Sequence, residues 1–190
     1  YVRVLEDDVP LALDVISDIV LNSVFDAKEL EIERGVILQE IGQSLDTPDD
    51  IIFDWLQDKA YPNQSMGRAI LGSTENVRSF SREDLQNFVN EHYGPEQMVL
   101  SAAGSVDHDA LVEEAQILFG GLRRTPKLLN EASKFIGGEV RVVKDLEQAH
   151  FALSFESASY LDDKIYTAQI YATALGGGMS SRLFQEIREK

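Results

Sequence analysis

The sequence predicts an α+β fold in which helices pack on antiparallel sheet, and three observations carry that expectation. Capped segments with apolar residues at helical spacing make up most of the chain. A few short apolar runs of strand type lie between them, and a polar stretch, 122–138, divides the pattern into two parts that each hold helices and strands. The expected organisation is therefore a first domain over 1–121, a linker over 122–138 and the opening of a second domain over 139–190.

Taken in order, Tyr1 to Leu5 reads as the end of a strand. Asp8 caps a helix that has Pro10 in its first turn and runs to about Asn22, with Leu13, Ile16, Ile19 and Val20 inward and Asp14, Ser17 and Asp18 outward. A second helix spans Asp26 to about Ser44, and Asp26 and Glu29 have capping-box spacing. A third starts at Thr47 and Pro48, with Asp49 and Asp50 at the positive end of its dipole, and reaches about Tyr61. The stretch 61–72 is rich in turn residues and reads as a structured loop. Ser81 opens a helix stopped by Gly94 and Pro95, Met98 to Gly104 suits a buried strand, and Ser105 or Asp107 caps a helix ending near Phe119. Beyond the linker, 139–144 and 149–156 read as strands. A helix follows over about 162–175, Gly176 to Gly178 break it, and a last helix opens at Ser180 or Ser181.

Composition narrows the function classes. The 190 residues are 44% hydrophobic, enough for a sizeable core, and no apolar stretch approaches the ~18 residues a membrane helix needs. No basic segment leads into an apolar run at the start, so no signal peptide is expected, and a first residue other than Met suggests a piece of something longer. The absence of cysteine excludes disulfides and thiolate metal sites and fits a cytosolic protein, so any metal must be held by histidine and carboxylate. Seventeen basic against thirty-three acidic residues give a net charge of −16. That balance disfavours nucleic acid and anionic membranes and favours a basic partner, although solubility alone accounts for much of it.

The chemically unusual stretch is the second helix. Leu30, Ile37, Ile41 and Ser44 fall in one narrow sector, and Glu33 and Glu40 lie in it too, seven residues and about 10.5 Å apart along the axis. Glu31 and Arg34 fall on the opposite side and form an ordinary solvated i, i+3 pair. Carboxylates on an apolar stripe imply a cation, a metal or a wet cleft beneath them, because burying them unpartnered costs several kcal/mol. Taken alone, the helix favours the plainer reading, a half-buried stripe from which both side chains reach water. His92, His108 and His150 are the three histidines, none spaced to pair on a helix, and each reads as structural. L-G-G-G-M-S-S-R lacks a P-loop lysine and reads as a tight turn between helices.

Five segments together carry a family resemblance: E-L-E-I-E-R-G-V-I-L-Q-E-I-G-Q, D-T-P-D-D-I-I-F-D-W-L-Q, Y-P-N-Q-S-M-G-R-A-I-L-G, H-Y-G-P-E-Q-M-V-L-S-A-A-G and L-G-G-G-M-S-S-R-L-F-Q-E-I-R-E-K. In this order they resemble the inverted-motif zinc peptidases related to insulinase and the mitochondrial processing peptidase β subunit, and most of all the bacterial processing-protease branch. The resemblance implies a LuxS/processing-peptidase-like metallohydrolase fold, incomplete at both ends, and a zinc-dependent metalloendopeptidase. In that family the two histidines of H-x-x-E-H and a distal glutamate hold zinc, and the motif's own glutamate is the general base. The distal ligand matches Glu40, and a glutamate important for catalysis matches Glu33. H-x-x-E-H is absent from this sequence and is expected upstream of Tyr1, so the chain alone is expected to be inactive and not to retain zinc. The implied partners are a peptide or unfolded polypeptide, of basic character on the charge argument, and a second similar subunit in a homodimer or heterodimer. The expected location is the bacterial cytoplasm, with the mitochondrial matrix as the alternative. The competing reading is a non-catalytic partner or structural core subunit of the same fold.

Overall fold

Helices form where the caps predict them. In the computed structural model, which describes residues 1–126 and 131–190, the α-helices are α1 Val9–Leu21, α2 Ala27–Asp46, α3 Pro48–Ala60, α4 Thr74–Ser79, α5 Arg82–His92, α6 His108–Phe119 and α7 Ile165–Gly176. Asp26 accepts the backbone N–H of Lys28 at 2.9 Å and of Glu29 at 3.2 Å, so two orphan donors of α2 are satisfied. Ser81 and Asp84 make a complete capping box on α5, and Asp107 accepts from Ala110 N–H at the start of α6. Asp8 lies in the turn before α1 but makes no side-chain cap bond. Helix α4 lies beyond the predicted loop, capped by Ser73, whose hydroxyl accepts from Asn76 N–H. Past α7 the expected last helix opens after Ser181, with Gln185 N–H bonded to the Ser181 carbonyl at 3.1 Å, and continues as a π-helical turn, Phe184–Arg188.

The α+β expectation is overturned: every regular element among the described residues is helical, and none is a strand. The segments read as strands, 1–5, 98–104, 139–144 and 149–156, have no hydrogen-bonded ladder. A helix satisfies its own backbone through i→i−4 bonds, whereas a strand exists only beside a neighbour that accepts and donates along its whole edge. Apolar alternation reports that a segment would suit a pleated, half-buried surface and says nothing of what pairs with it. The side chains agree, since Val143 is 97% and Phe151 83% exposed.

The chain divides into two units, Tyr1–Ile51 with Ala69–Ala132, and Ile52–Arg68 with Ser133–Lys190. In the first, α1 packs on α6 and α2 on α4, and Ala12, Leu13, Ile41, Ile51 and Val77 are buried. The covered face of α1 is turned from the expected one, since Ser17 is buried and bonded to the Asp14 carbonyl while Ile19 is exposed. The start of the expected linker is fastened to the turn Pro95–Gln97: Gln97 donates to the Thr125 hydroxyl at 3.0 Å and to the Pro126 carbonyl at 3.1 Å, and Thr125 is buried against Gly94. A Cβ on Gly94 would occupy the space of the Thr125 side chain, so the close approach requires glycine there. The linker positions 127–130 lie outside the described residues.

In the second unit, the Ala60 carbonyl at the end of α3 accepts Ile136 N–H at 2.9 Å. Gln64 pairs with the backbone of Lys134 in both directions, at 2.7 and 2.9 Å, and Tyr61 meets Phe135 edge to face at 5.9 Å. Lys144 stands over the Trp55 ring, 5.8 Å from its centroid.

Two outcomes follow from the caps. Asp26→Ala should destabilise the first unit by about 1 kcal/mol, measured by denaturant unfolding, because two N–H groups of α2 lose their acceptor. The Ser81 hydroxyl, and then its backbone N–H, hold the Asp84 carboxyl below the ordinary aspartate value. A depressed folded value means that this stabilisation is fully present above the unfolded value and is lost as pH falls through the folded one. The Tm difference between wild type and Ser81→Ala should therefore be largest above about pH 5 and shrink toward about pH 2. A pH-independent difference would contradict this.

Candidate functional site

Helix α2 carries the candidate residues, and its covered face is set by α4. Leu30, Arg34, Ile37, Leu38 and Ser44 are half-buried and Ile41 is buried, so the apolar stripe read from the sequence is the covered side. Glu33 and Glu40 are both exposed. At 100° per residue they stand about 60° and 80° from Leu30, on the side away from Arg34, and thus on the flank of the stripe rather than within it. Water solvates both, and neither makes a hydrogen bond or ion pair among the described residues. No buried cation is needed to compensate them.

Arg34 corrects a second expectation. Its side chain is only 18% exposed, against 70% for Glu31. The guanidinium donates to the Val77 carbonyl and, at 2.7 Å, to the Phe80 carbonyl, both at the C-terminal end of α4. Its Nε and Nη2 also donate to the Glu31 carboxylate at 3.2 Å. The solvated i, i+3 pair is thus one half of a clamp between two helices. The sequence held the signal, because position 34 falls about 40° from Leu30, between it and Leu38, on the covered side.

The remaining candidates stay structural. His92 closes α5 with its ring 4.2 Å from that of Phe88, and His108 opens α6. No group of three histidine or carboxylate side chains able to hold a metal occurs among the described residues. Glu40 is a carboxylate side chain, exposed and without a competing partner among the described residues, and so is chemically suited to one share of a zinc shell, but catalytic zinc takes three protein ligands. At the end of α7, Gly177 N–H bonds to the Thr173 carbonyl at 2.9 Å, and a Cβ there would come within 2.8 Å of Thr173 Cα. The glycine run is a tight helix ending.

Comparison with known proteins gives this arrangement a family. Residues 1–74, which include α2, match insulinase (peptidase family M16), and residues 79–190 match the peptidase M16 inactive domain. The chain belongs to peptidase family M16. A protein from Rickettsia felis described as an uncharacterized zinc protease is 42% identical to it over 191 residues, covering 100% of this chain and 46% of that protein. A probable mitochondrial-processing peptidase subunit beta from Arabidopsis thaliana is 40% identical over 182 residues, covering 93% of this chain and 34% of the relative. The chain spans under half the length of these relatives.

Solved structures share this fold at low identity. A chain of complex III2 from Candida albicans, with Inz-5 bound, superposes with a TM-score of 0.79 at 19% identity, covering 98% of this chain and 47% of that one. The peptidase M16 inactive domain from Pseudomonas fluorescens gives 0.77 at 19% identity, covering 97% and 46%. Among the described residues of this M16 chain no helix is long and apolar enough to cross a membrane.

With one suited carboxylate and no further donors grouped around it, the 190-residue chain should lose added zinc on dialysis and cleave no peptide. Metal analysis returning about one zinc per chain after dialysis would contradict that.

Proposed function

We propose that the full-length protein is a zinc metalloendopeptidase that processes peptides or unfolded polypeptides, to which this chain contributes Glu40 as a metal ligand and Glu33 as a positioning residue. The observation that carries the reading is the placement of both carboxylates, unpartnered and exposed, on one flank of a capped helix inside the segment that matches the insulinase family. The naming of relatives as zinc proteases supports the cofactor. When bound, zinc supplies Lewis-acid chemistry and activated water at neutral pH. The chain's own share is to hold an anionic oxygen at Glu40. Glu33, two turns away, cannot reach the same ion without distorting the helix and acts instead by orienting groups around it.

The organisation we propose is a first peptidase-domain segment over 1–121, a linker over 122–138 and the opening of a second over 139–190. The substrate we propose is a peptide or unfolded polypeptide, and the acidity of the chain favours a basic one. Relatives of bacterial source support a bacterial cytoplasmic location ahead of the mitochondrial matrix. Assembly with a similar subunit, as a homodimer or heterodimer, belongs to the same proposal.

A non-catalytic subunit is the second reading, and the match of 79–190 to an inactive domain together with the likeness to a complex III2 chain favours it. Both glutamates stand in the 1–74 segment at the positions that match the family's distal ligand and catalytic glutamate, and their retention in register weighs against it.

The paired glutamate variants of the full-length protein test the proposal. Glu40→Gln should lose most bound zinc, because a neutral amide is a poor substitute for an anionic ligand. Glu33→Gln should keep near wild-type zinc and lose roughly 10- to 100-fold in peptide hydrolysis, the range for groups that orient a metal's ligands. Zinc content and turnover are measured on one preparation. Undiminished zinc in Glu40→Gln rejects that residue as a ligand, and parallel loss of zinc and turnover in Glu33→Gln rejects the division of roles.

A further inference from the structure

We infer that Arg34 is a positioning residue for the α2 carboxylates: by holding the C-terminal end of α4, it fixes the rotation of α2 about its own axis and so fixes where Glu33 and Glu40 point. The inference rests on the reading of those glutamates as parts of a zinc site, and adds a residue and a mechanism to it.

Geometry comes first. Arg34 is the covered cation of α2, and its three guanidinium nitrogens all make hydrogen bonds. Two of them reach main-chain carbonyls of another element, at Val77 and Phe80, across 43 and 46 positions of sequence. Backbone acceptors cannot change rotamer as a side-chain partner can. Two bonds from one planar fork to two fixed acceptors restrict rotation and sliding together, which one bond from a point charge would not. The acceptors are also helix-terminal carbonyls, where unsatisfied C=O groups and the negative end of the backbone dipoles favour a cation. Glu31 completes the arrangement from α2 itself, taking Nε and Nη2 at 3.2 Å and orienting the guanidinium plane.

Apolar packing also holds α2, with Leu30, Ile37 and Leu38 half-buried beside Ile41. Ile41 is its buried residue, and apolar contact is non-directional, so a helix can turn by tens of degrees while keeping an aliphatic face covered. Side-chain ends stand about 5–6 Å from a helix axis, so a turn of roughly 20° would move both carboxylates by about 2 Å. A displacement of about 1 Å can cost a site about 100-fold. Arg34 adjoins Glu33 and precedes Glu40 by fewer than two turns, so the clamp acts on the part of the helix where an error in rotation reaches both groups.

The test uses the full-length protein, with zinc affinity measured by competition against a chelator, kcat and KM on a peptide, and Tm. Arg34→Met removes the fork and keeps the length and packing of the side chain. Ser73→Ala removes the cap at the other end of α4, destabilising that helix without touching the guanidinium. Arg34→Met is expected to weaken zinc binding and lower kcat by roughly 10- to 100-fold with KM little changed. Ser73→Ala is expected to lower Tm and leave zinc affinity and kcat as in wild type. Arg34→Lys keeps one charged donor and should show a smaller loss in the same direction. It also carries the test if Arg34→Met does not fold.

Wild-type zinc affinity and kcat in folded Arg34→Met, or in Arg34→Lys if that is the folded variant, would overturn the inference while leaving the zinc-peptidase reading intact. Equal losses in Ser73→Ala and the Arg34 variants would overturn it as well, by tracing the effect to the stability of α4. A wild-type protein with neither zinc nor peptidase activity would overturn the inference together with the reading beneath it.

Discussion

Helix ends are where a backbone cannot satisfy itself, and much of this structure depends on how those ends are served. Asp26, Ser73, Ser81 and Asp107 supply acceptors to the first turns of α2, α4, α5 and α6. Each is a short polar side chain that acts within three residues of its own position. The C-terminal end of α4 is served from a distance, by the guanidinium of Arg34. That bond is the one among these that joins two elements, and it ties a local requirement of α4 to the orientation of α2.

The same bond gives the site its asymmetry. One side of α2 is turned toward α4, with Leu30, Arg34, Leu38 and Ile41 covered, and the adjoining flank is left to water with both glutamates on it. Carboxylates in water cost nothing to keep ionised, so they can be retained without a partner. A buried pair would have needed compensation within the chain. An exposed pair makes no such demand on the chain.

The apolar segments outside the helices obey the complementary rule. Around 98–104, 139–144 and 149–156 the backbone has no ladder among the described residues, and large side chains such as Val143 and Phe151 face solvent. The neighbouring positions 125–126 and 134–136 are fastened by isolated bonds, as with Gln97 on Thr125 and Pro126, Gln64 on Lys134 and the Ala60 carbonyl on Ile136. The TM-scores of 0.79 and 0.77 show that solved structures share this path of the backbone at 19% identity.

The sequence by itself determined the helices from α1 to α3 and α5 to α7, most of their caps, the spacing of Glu33 and Glu40, and the set of motifs by which the family is recognised. These are written within a few residues, because helical hydrogen bonds close between i and i−4 and a cap acts on the next two or three N–H groups. Tertiary structure decided what depends on a distant partner. It supplied the Val77 and Phe80 carbonyls that make Arg34 a clamp instead of a solvated ion-pair member, and it set how far the cover over α2 extends, which leaves both glutamates exposed. It also decided that the alternating segments would not be strands, since a ladder needs a second backbone edge whose position no local pattern encodes.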